Sequence, residues 1–109
     1  MALVEGDRDS AEMLHTFFRL MELECSLIHP DASAVSNVRR LSPDVLILDL
    51  DLPDLRALEI ARELRSIPTI LLTSSEPQLL PIDALVLRKP GDRFEELLHL
   101  FEMVLALEP

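Results

Sequence analysis

Residues 43–53, PDVLILDLDLP, decide the fold of this chain of 109 residues. The apolar run Val45–Leu48 has no polar interruption and leads directly into the acidic Asp49. A short continuous apolar run of this kind is typical of a strand that is covered on both faces of a sheet. Pro43 comes just before the run, between elements, where its missing N–H does least harm. We therefore predict a buried strand that ends on a carboxylate.

Similar apolar runs recur along the chain and alternate with segments of helical spacing. The predicted strands are Ala2–Val4, Cys25–Ile28, Val45–Leu48, Thr69–Leu72 and Ala84–Leu87. The predicted helices are Ser10–Met21, Ala32–Leu41, Leu55–Leu64, one turn at Ser75–Leu80 that Pro81 stops, and Arg93–Leu107. Acids with a glutamate three positions later predict helix caps at Asp9 and Asp92. The alternation predicts an α/β fold: a doubly wound, five-stranded parallel sheet with right-handed crossovers and helices on both faces.

Composition and charge exclude several classes of function. Apolar residues make up 49% of the chain, which suffices for a packed core and excludes general disorder. Acidic residues number 20 against 10 Lys and Arg, so we expect no direct binding of nucleic acid or membranes at a net charge of −10. A single cysteine, no signal peptide and no long apolar span predict one cytoplasmic domain over residues 1–109. The chain ends soon after its last predicted helix, so we expect no output domain within it.

Chemically useful residues follow four of the predicted strands. Glu5 comes after the first strand, Asp49 after the third, Thr73 after the fourth and Lys89 after the fifth. Parallel strands of an open sheet bring such residues to one edge. A carboxylate beside a lysine and a hydroxyl can accept a phosphoryl group, because the lysine balances charge and the hydroxyl donates a hydrogen bond to a phosphate oxygen. We expect no enzyme, since no nucleophile–base pair or glycine-rich cofactor loop is evident.

Four motifs occur in a familiar order: LVEGD at 3–7, PDVLILDLDLPD at 43–54, IPTILLTS at 67–74 and LRKP at 87–90. Together they resemble the receiver domain of bacterial two-component response regulators. The resemblance runs from residue 1 to about residue 107, and the motif after the third strand is the most specific. It implies a flavodoxin-like, CheY-like fold with the strand order 2-1-3-4-5.

The resemblance also implies roles for individual residues. Asp49 would accept phosphate from a histidine kinase or a phosphotransfer protein, and a downstream protein partner would read the result. Thr73 would contact the phosphate as a switch residue, and Lys89 would pair with it. The bond from Lys89 to Pro90 would be cis, as is usual in the family.

Departures from the family pattern mark the chain as an atypical member. Receivers normally carry two adjacent acids after the first strand, whereas Gly6 follows Glu5 here. We therefore expect Mg²⁺ to bind weakly, because carboxylate number tunes affinity for hard cations. The residues expected at this weak metal site are Glu5, Asp49 and Asp51. Of these, Asp51 is expected to offer its backbone carbonyl rather than its side chain, and Glu5 is better explained as a solvated acid at a strand end.

Two hypotheses of function stay open on the sequence. The first is a phosphorelay receiver that accepts phosphate on Asp49. The second is a degenerate receiver, with its fourth helix shortened and Val86 in place of the usual aromatic residue, that acts as a phosphate-independent interaction module. On the last predicted helix, the core face is assigned to Phe94, Leu97, Leu98, Phe101 and Leu105. A second apolar stripe then predicts a homodimer or partner contact, formed by Leu100, Met103 and Leu107.

Overall fold

The computed structural model describes residues 1–53, 56–77, 84–91 and 93–108. Within these ranges the chain forms five strands and four helices. The strands are β1 (Ala2–Val4), β2 (Ser26–Ile28), β3 (Leu46–Asp49), β4 (Thr69–Thr73) and β5 (Leu85–Arg88). The helices are α1 (Arg8–Leu20), α2 (Ala34–Leu41), α3 (Arg56–Glu63) and α4 (Phe94–Leu107). The predicted turn of helix at 75–80 falls partly outside the described residues, and its first three residues are not helical.

The five strands form one parallel sheet in the order β2-β1-β3-β4-β5. This confirms the predicted fold class and strand order. The strand that decided the fold, β3, lies at the centre and pairs with both β1 and β4. Because all strands run the same way, their carboxyl ends meet at one edge, which is where the candidate site lies.

Alternate residues of the central strands divide the core into two halves. Val4, Leu48 and Leu71 share one row and face a layer built from α2 and α3. Leu3, Ile47 and Ile70 share the next row and face α1 and α4. All residues of β1, β3 and β4 are buried, as a sheet covered on both faces requires.

The start of α1 differs from the predicted cap. Asp7, rather than Asp9, has the extended backbone of an N-cap, and its Oδ2 accepts hydrogen bonds from the Ser10 amide at 3.0 Å and the Ser10 hydroxyl at 2.7 Å. These bonds lower the pKa of Asp7. Because α1 begins at Arg8, Asp9 lies within its first turn rather than before it. The other predicted cap, Asp92, lies outside the described residues.

The last helix is rotated relative to its predicted orientation. Leu100 is 2% exposed and lies in the core with Leu97 and Val104, whereas Phe94 is 61% and Leu105 47% exposed. Met103 and Leu107, also assigned to the contact stripe, are partly buried and pack against the same core cluster. The predicted interaction stripe is therefore wrong. Because α4 is apolar around most of its circumference, spacing alone does not identify its core face.

Candidate functional site

Residues from four strand ends meet around the ammonium group of Lys89. Its Nζ lies 3.0 Å from Asp49 Oδ1 and 3.1 Å from Glu5 Oε1, and 3.6 Å from Asp51 Oδ2. The Lys89 backbone N–H also donates to the Thr73 carbonyl at 2.7 Å, one residue beyond the end of β5. That bond fixes the lysine beside β4, so that its side chain can reach across to β3 and β1. The predicted ion pair between Lys89 and Asp49 is present.

Asp49, at the end of β3, is held by backbone donors on two sides. Asp49 as a whole residue is 3% exposed. The Gly6 N–H donates to Oδ2 at 3.1 Å, and the Asp51 N–H donates to Oδ1 at 2.9 Å. A carboxylate with two amide donors and an ammonium group is well compensated despite its burial.

Glu5 is buried, which contradicts the expectation of a solvated acid. Its side chain is 1% exposed, and Oε1 accepts bonds from Lys89 and from the Asp7 N–H. Oε2 is buried and has no hydrogen-bond partner among the described residues. Burial and the neighbouring charge of Asp49 raise the pKa of Glu5 by more than Lys89 lowers it.

Asp51 turns its side chain into the pocket, contrary to the expectation that its backbone carbonyl would serve. Oδ1 accepts a hydrogen bond from the Thr73 hydroxyl at 2.9 Å. Oδ2 accepts bonds from both the N–H and the hydroxyl of Ser74, each at 2.8 Å. Burial raises the pKa of Asp51, but the bonds from Ser74, Thr73 and the charge of Lys89 outweigh it and leave that pKa below its ordinary value.

The contacts of Asp51 explain two differences from the sequence-based expectations. Thr73 lies at the site, but its hydroxyl bonds to Asp51 rather than to Asp49. Sequence reasoning gave Ser74 no role, although it follows Thr73 directly and supplies two of the donors. An acid two positions after Asp49 and adjacent hydroxyl residues after β4 are the signals that point to this arrangement.

The charge of Lys89 is maintained by its neighbours. Burial lowers the pKa of Lys89, but its hydrogen bonds and attraction to Asp49 and Glu5 outweigh that effect and raise the pKa above the ordinary value. One ammonium group therefore faces the three carboxylates of Glu5, Asp49 and Asp51. The formal charges of these four groups add up to a negative value, so the pocket is acidic even with Lys89 in place.

Comparisons with known proteins identify the family of this chain. A family model described as the response regulator receiver domain matches residues 1–88. The chain belongs to this family. MtrA of Mycobacterium tuberculosis, a DNA-binding response regulator, is 33% identical over 75 residues, which cover 66% of this chain and 33% of MtrA. TcrX of the same organism, a probable transcriptional regulatory protein, is 32% identical over 78 residues, which cover 68% of this chain and 33% of TcrX. The receiver domain thus spans about a third of the length of the curated relatives it matches.

Solved receiver structures share the fold of this receiver domain. The BeF3-activated N-terminal receiver domain of Klebsiella pneumoniae RstA superposes with a TM-score of 0.80 at 22% identity, covering 99% of this chain and 97% of that one. The signal receiver domain of a modulated diguanylate cyclase from Desulfovibrio desulfuricans superposes with a TM-score of 0.76 at 24% identity, covering 96% of this chain and 91% of that one. The predicted CheY-like, flavodoxin-like fold is confirmed. No helix in the described ranges is long and apolar enough to cross a membrane.

Receiver domains bind Mg²⁺ at an acidic pocket, and the residues present here can be compared with the needs of that ion. The described residues contain no cluster of three or more His, Cys, Asp or Glu side chains that could hold a metal. Lys89 lies among the carboxylates, and the oxygens of Asp49 and Asp51 already accept hydrogen bonds. In this arrangement the residues fit the ion poorly, although the unpartnered Glu5 Oε2 is a ligand of suitable type.

Gly6 explains why the loop after β1 contributes no second acid. A Cβ atom there would lie 3.0 Å from Leu52 Cδ2 and 3.3 Å from Asp49 Oδ2. A side chain at this position would press on the end of Leu52 and on the Asp49 carboxylate that accepts the Gly6 N–H. The remaining expectation drawn from the family, a cis bond before Pro90, is wrong, because the described residues contain no cis peptide bond.

Proposed function

We propose that this receiver domain accepts a phosphoryl group on Asp49 and passes the resulting change to a protein partner. The observation that carries the proposal is the pairing of Asp49 with Lys89, 3.0 Å apart at the carboxyl edge of the sheet. A carboxylate oxygen of Asp49 would attack phosphorus, forming a P–O bond while the P–N bond to a donor histidine breaks. The donor histidine leaves with the electron pair and takes up a proton. Lys89 would offset the charge of the acyl phosphate.

The donor class follows from the same proposal. A histidine kinase or a phosphotransfer protein would supply the phosphoryl group, and the chain would be a substrate rather than an enzyme. Its matched relatives are named as regulators that bind DNA or control transcription. The strongly acidic chain itself is not suited to bind nucleic acid, so its output would pass through a protein, in the cytoplasm.

Phosphorylation by a small donor tests the role of Asp49. The protein is incubated with acetyl phosphate and Mg²⁺, and the intact mass is recorded. We expect wild type to gain the mass of one phosphoryl group and Asp49→Asn to gain none. Asp44→Asn, an exposed aspartate at the opposite end of β3, is the matched control and should behave like wild type. Equal labelling of Asp49→Asn, or none of wild type, would overturn the proposal.

A second candidate function is a phosphate-independent interaction module. Gly6 supplies no acid, and the carboxylates of the pocket are already bonded to protein donors. In this case Asp49→Asn would bind the output partner as well as wild type does, with or without a phosphodonor. Under the first candidate, treatment with acetyl phosphate would change partner binding in wild type alone.

A further inference from the structure

We propose that the carboxylate of Asp51 occupies the position that the phosphoryl oxygens on Asp49 would take, and so competes with phosphorylation. This inference rests on the proposed role of Asp49 as acceptor. It adds that the pocket carries its own anion in the unphosphorylated state. Asp51 then sets how readily the site is modified, without taking part in the bond changes.

The donors on Asp51 form a set suited to an oxyanion. They are the Thr73 hydroxyl at 2.9 Å and the Ser74 N–H and hydroxyl at 2.8 Å each, and the Lys89 ammonium adds an ion pair at 3.6 Å. Hydroxyl, amide and ammonium groups that converge from different strand ends bind carboxylate and phosphate oxygens by the same charge-assisted hydrogen bonds. A phosphate oxygen can therefore replace a carboxylate oxygen at these donors.

Asp49 lies next to this donor set. Lys89 Nζ is shared, at 3.0 Å from Asp49 Oδ1 and 3.6 Å from Asp51 Oδ2. The Asp51 N–H also donates to the same oxygen of Asp49, at 2.9 Å. A phosphoryl group bonded to Asp49 would extend from that carboxylate towards the donors that Asp51 holds, so both anions would need the same groups.

Charge and exposure identify Asp51 as the carboxylate that must leave. A phosphoryl group adds about −1.5 to −2 charges at neutral pH, and three carboxylates already face one ammonium. The side chain of Asp51 is 32% exposed, against 5% for Asp49 and 1% for Glu5. Because it is already partly exposed, Asp51 can turn its side chain into water, whereas the buried side chain of Glu5 cannot do so without displacing its surroundings.

Binding of beryllofluoride in the presence of Mg²⁺, followed by calorimetry and ¹⁹F NMR, tests the competition. We expect Asp51→Ala to bind this phosphoryl analogue about tenfold more tightly than wild type, since one charge-assisted competitor is removed. Asp51→Asn, which retains polar bulk but loses the charge, should fall between the two. Asp44→Asn removes the same net charge at the far end of β3 and should match wild type. An affinity of Asp51→Ala equal to or below that of wild type would overturn the competition.

A second measurement separates failure of this inference from failure of the proposed function. The Ser74 N–H donates to Asp51, so Asp51→Ala should speed hydrogen exchange of the Ser74 amide, whereas Asp44→Asn should leave it unchanged. Unchanged exchange in Asp51→Ala would show that Asp51 does not hold these donors. If exchange is faster but no variant binds beryllofluoride, the donor occupancy stands, while phosphorylation of Asp49 and the competition for it both fail.

Discussion

Gly6 is the residue at which the acidic pocket differs most from the family pattern. A Cβ atom at position 6 would lie 3.0 Å from Leu52 Cδ2 and 3.3 Å from Asp49 Oδ2. Any side chain at this position must therefore displace the end of Leu52. We expect Gly6→Asp to bind Mg²⁺ about tenfold more tightly, because a carboxylate joins Glu5 and Asp49. We also expect it to unfold at a lower urea concentration than wild type.

Gly6→Ala is the matched control for this prediction, since it introduces the same Cβ contact without a carboxylate. It should share the loss of stability but not the gain in metal affinity. Calorimetric titration with Mg²⁺ and urea denaturation on the three proteins measure the two effects. Equal metal affinities of Gly6→Ala and Gly6→Asp would contradict the argument from carboxylate number.

Glu5 makes the stability of the domain depend on pH in a predictable direction. Its pKa in the folded protein is raised above the ordinary 4.5, so the folded state holds the proton more tightly than the unfolded chain. The free energy of unfolding should therefore fall as pH rises through the window between 4.5 and the raised value. The pKa values of Asp51 and Asp7 are lowered instead. These two groups therefore stabilise the folded state above their ordinary pKa of 3.8, and that contribution is lost as pH falls below it.

Urea denaturation at a series of pH values measures this effect. Glu5→Gln should lose the decline in stability above pH 4.5, because the amide does not titrate. Glu102→Gln, an exposed glutamate on α4, should keep it. A decline of equal size in wild type and Glu5→Gln would show that another group is responsible.

At the scale of elements, α4 shows how an apolar helix chooses its core face. Leu100 is 2% exposed and Leu105 is 47% exposed. Both are leucines of the same helix, but a spacing of five positions places them on different sides of it. Leu100→Ala should lower the free energy of unfolding by about 2–5 kcal/mol, since it leaves a cavity in the core. Leu105→Ala on the exposed side should change it by no more than about 0.5 kcal/mol.

Denaturation curves and sedimentation of both variants distinguish a core residue from a contact residue. If Leu100 lay on a dimer surface, Leu100→Ala would weaken association and leave the stability of the monomer unchanged. The structure instead leads us to expect a less stable protein whose association state is that of wild type. A homodimer through this helix would have to use side chains other than Leu100.

At the scale of the whole molecule, the parallel sheet explains why distant residues form one site. Glu5 and Lys89 are separated by 84 positions in the chain, yet their side chains form a hydrogen bond of 3.1 Å. Both follow strands whose carboxyl ends meet at the same edge, and β3 lies between the two halves of the core. The site is therefore supported by both core halves, and its residues come from the ends of four strands.

Much of this arrangement was determined by the sequence itself. The run Val45–Leu48 ending on Asp49, repeated in kind along the chain, predicted the doubly wound sheet, because buried parallel strands need continuous apolar residues. Placing Asp49, Thr73 and Lys89 after strands predicted that they would meet. These features follow from local pattern and from the common direction of the strands.

The tertiary structure alone decided the orientation of individual side chains and faces. Asp51 lies beyond the end of β3, where no alternation dictates its direction, and the donors of Thr73 and Ser74 from β4 turn it inward. The burial of Glu5 depends on Lys89, a partner distant in sequence. The core face of α4 depends on which of its many apolar residues the sheet and α1 cover. In each case the deciding contact comes from another element, and the local sequence does not contain it.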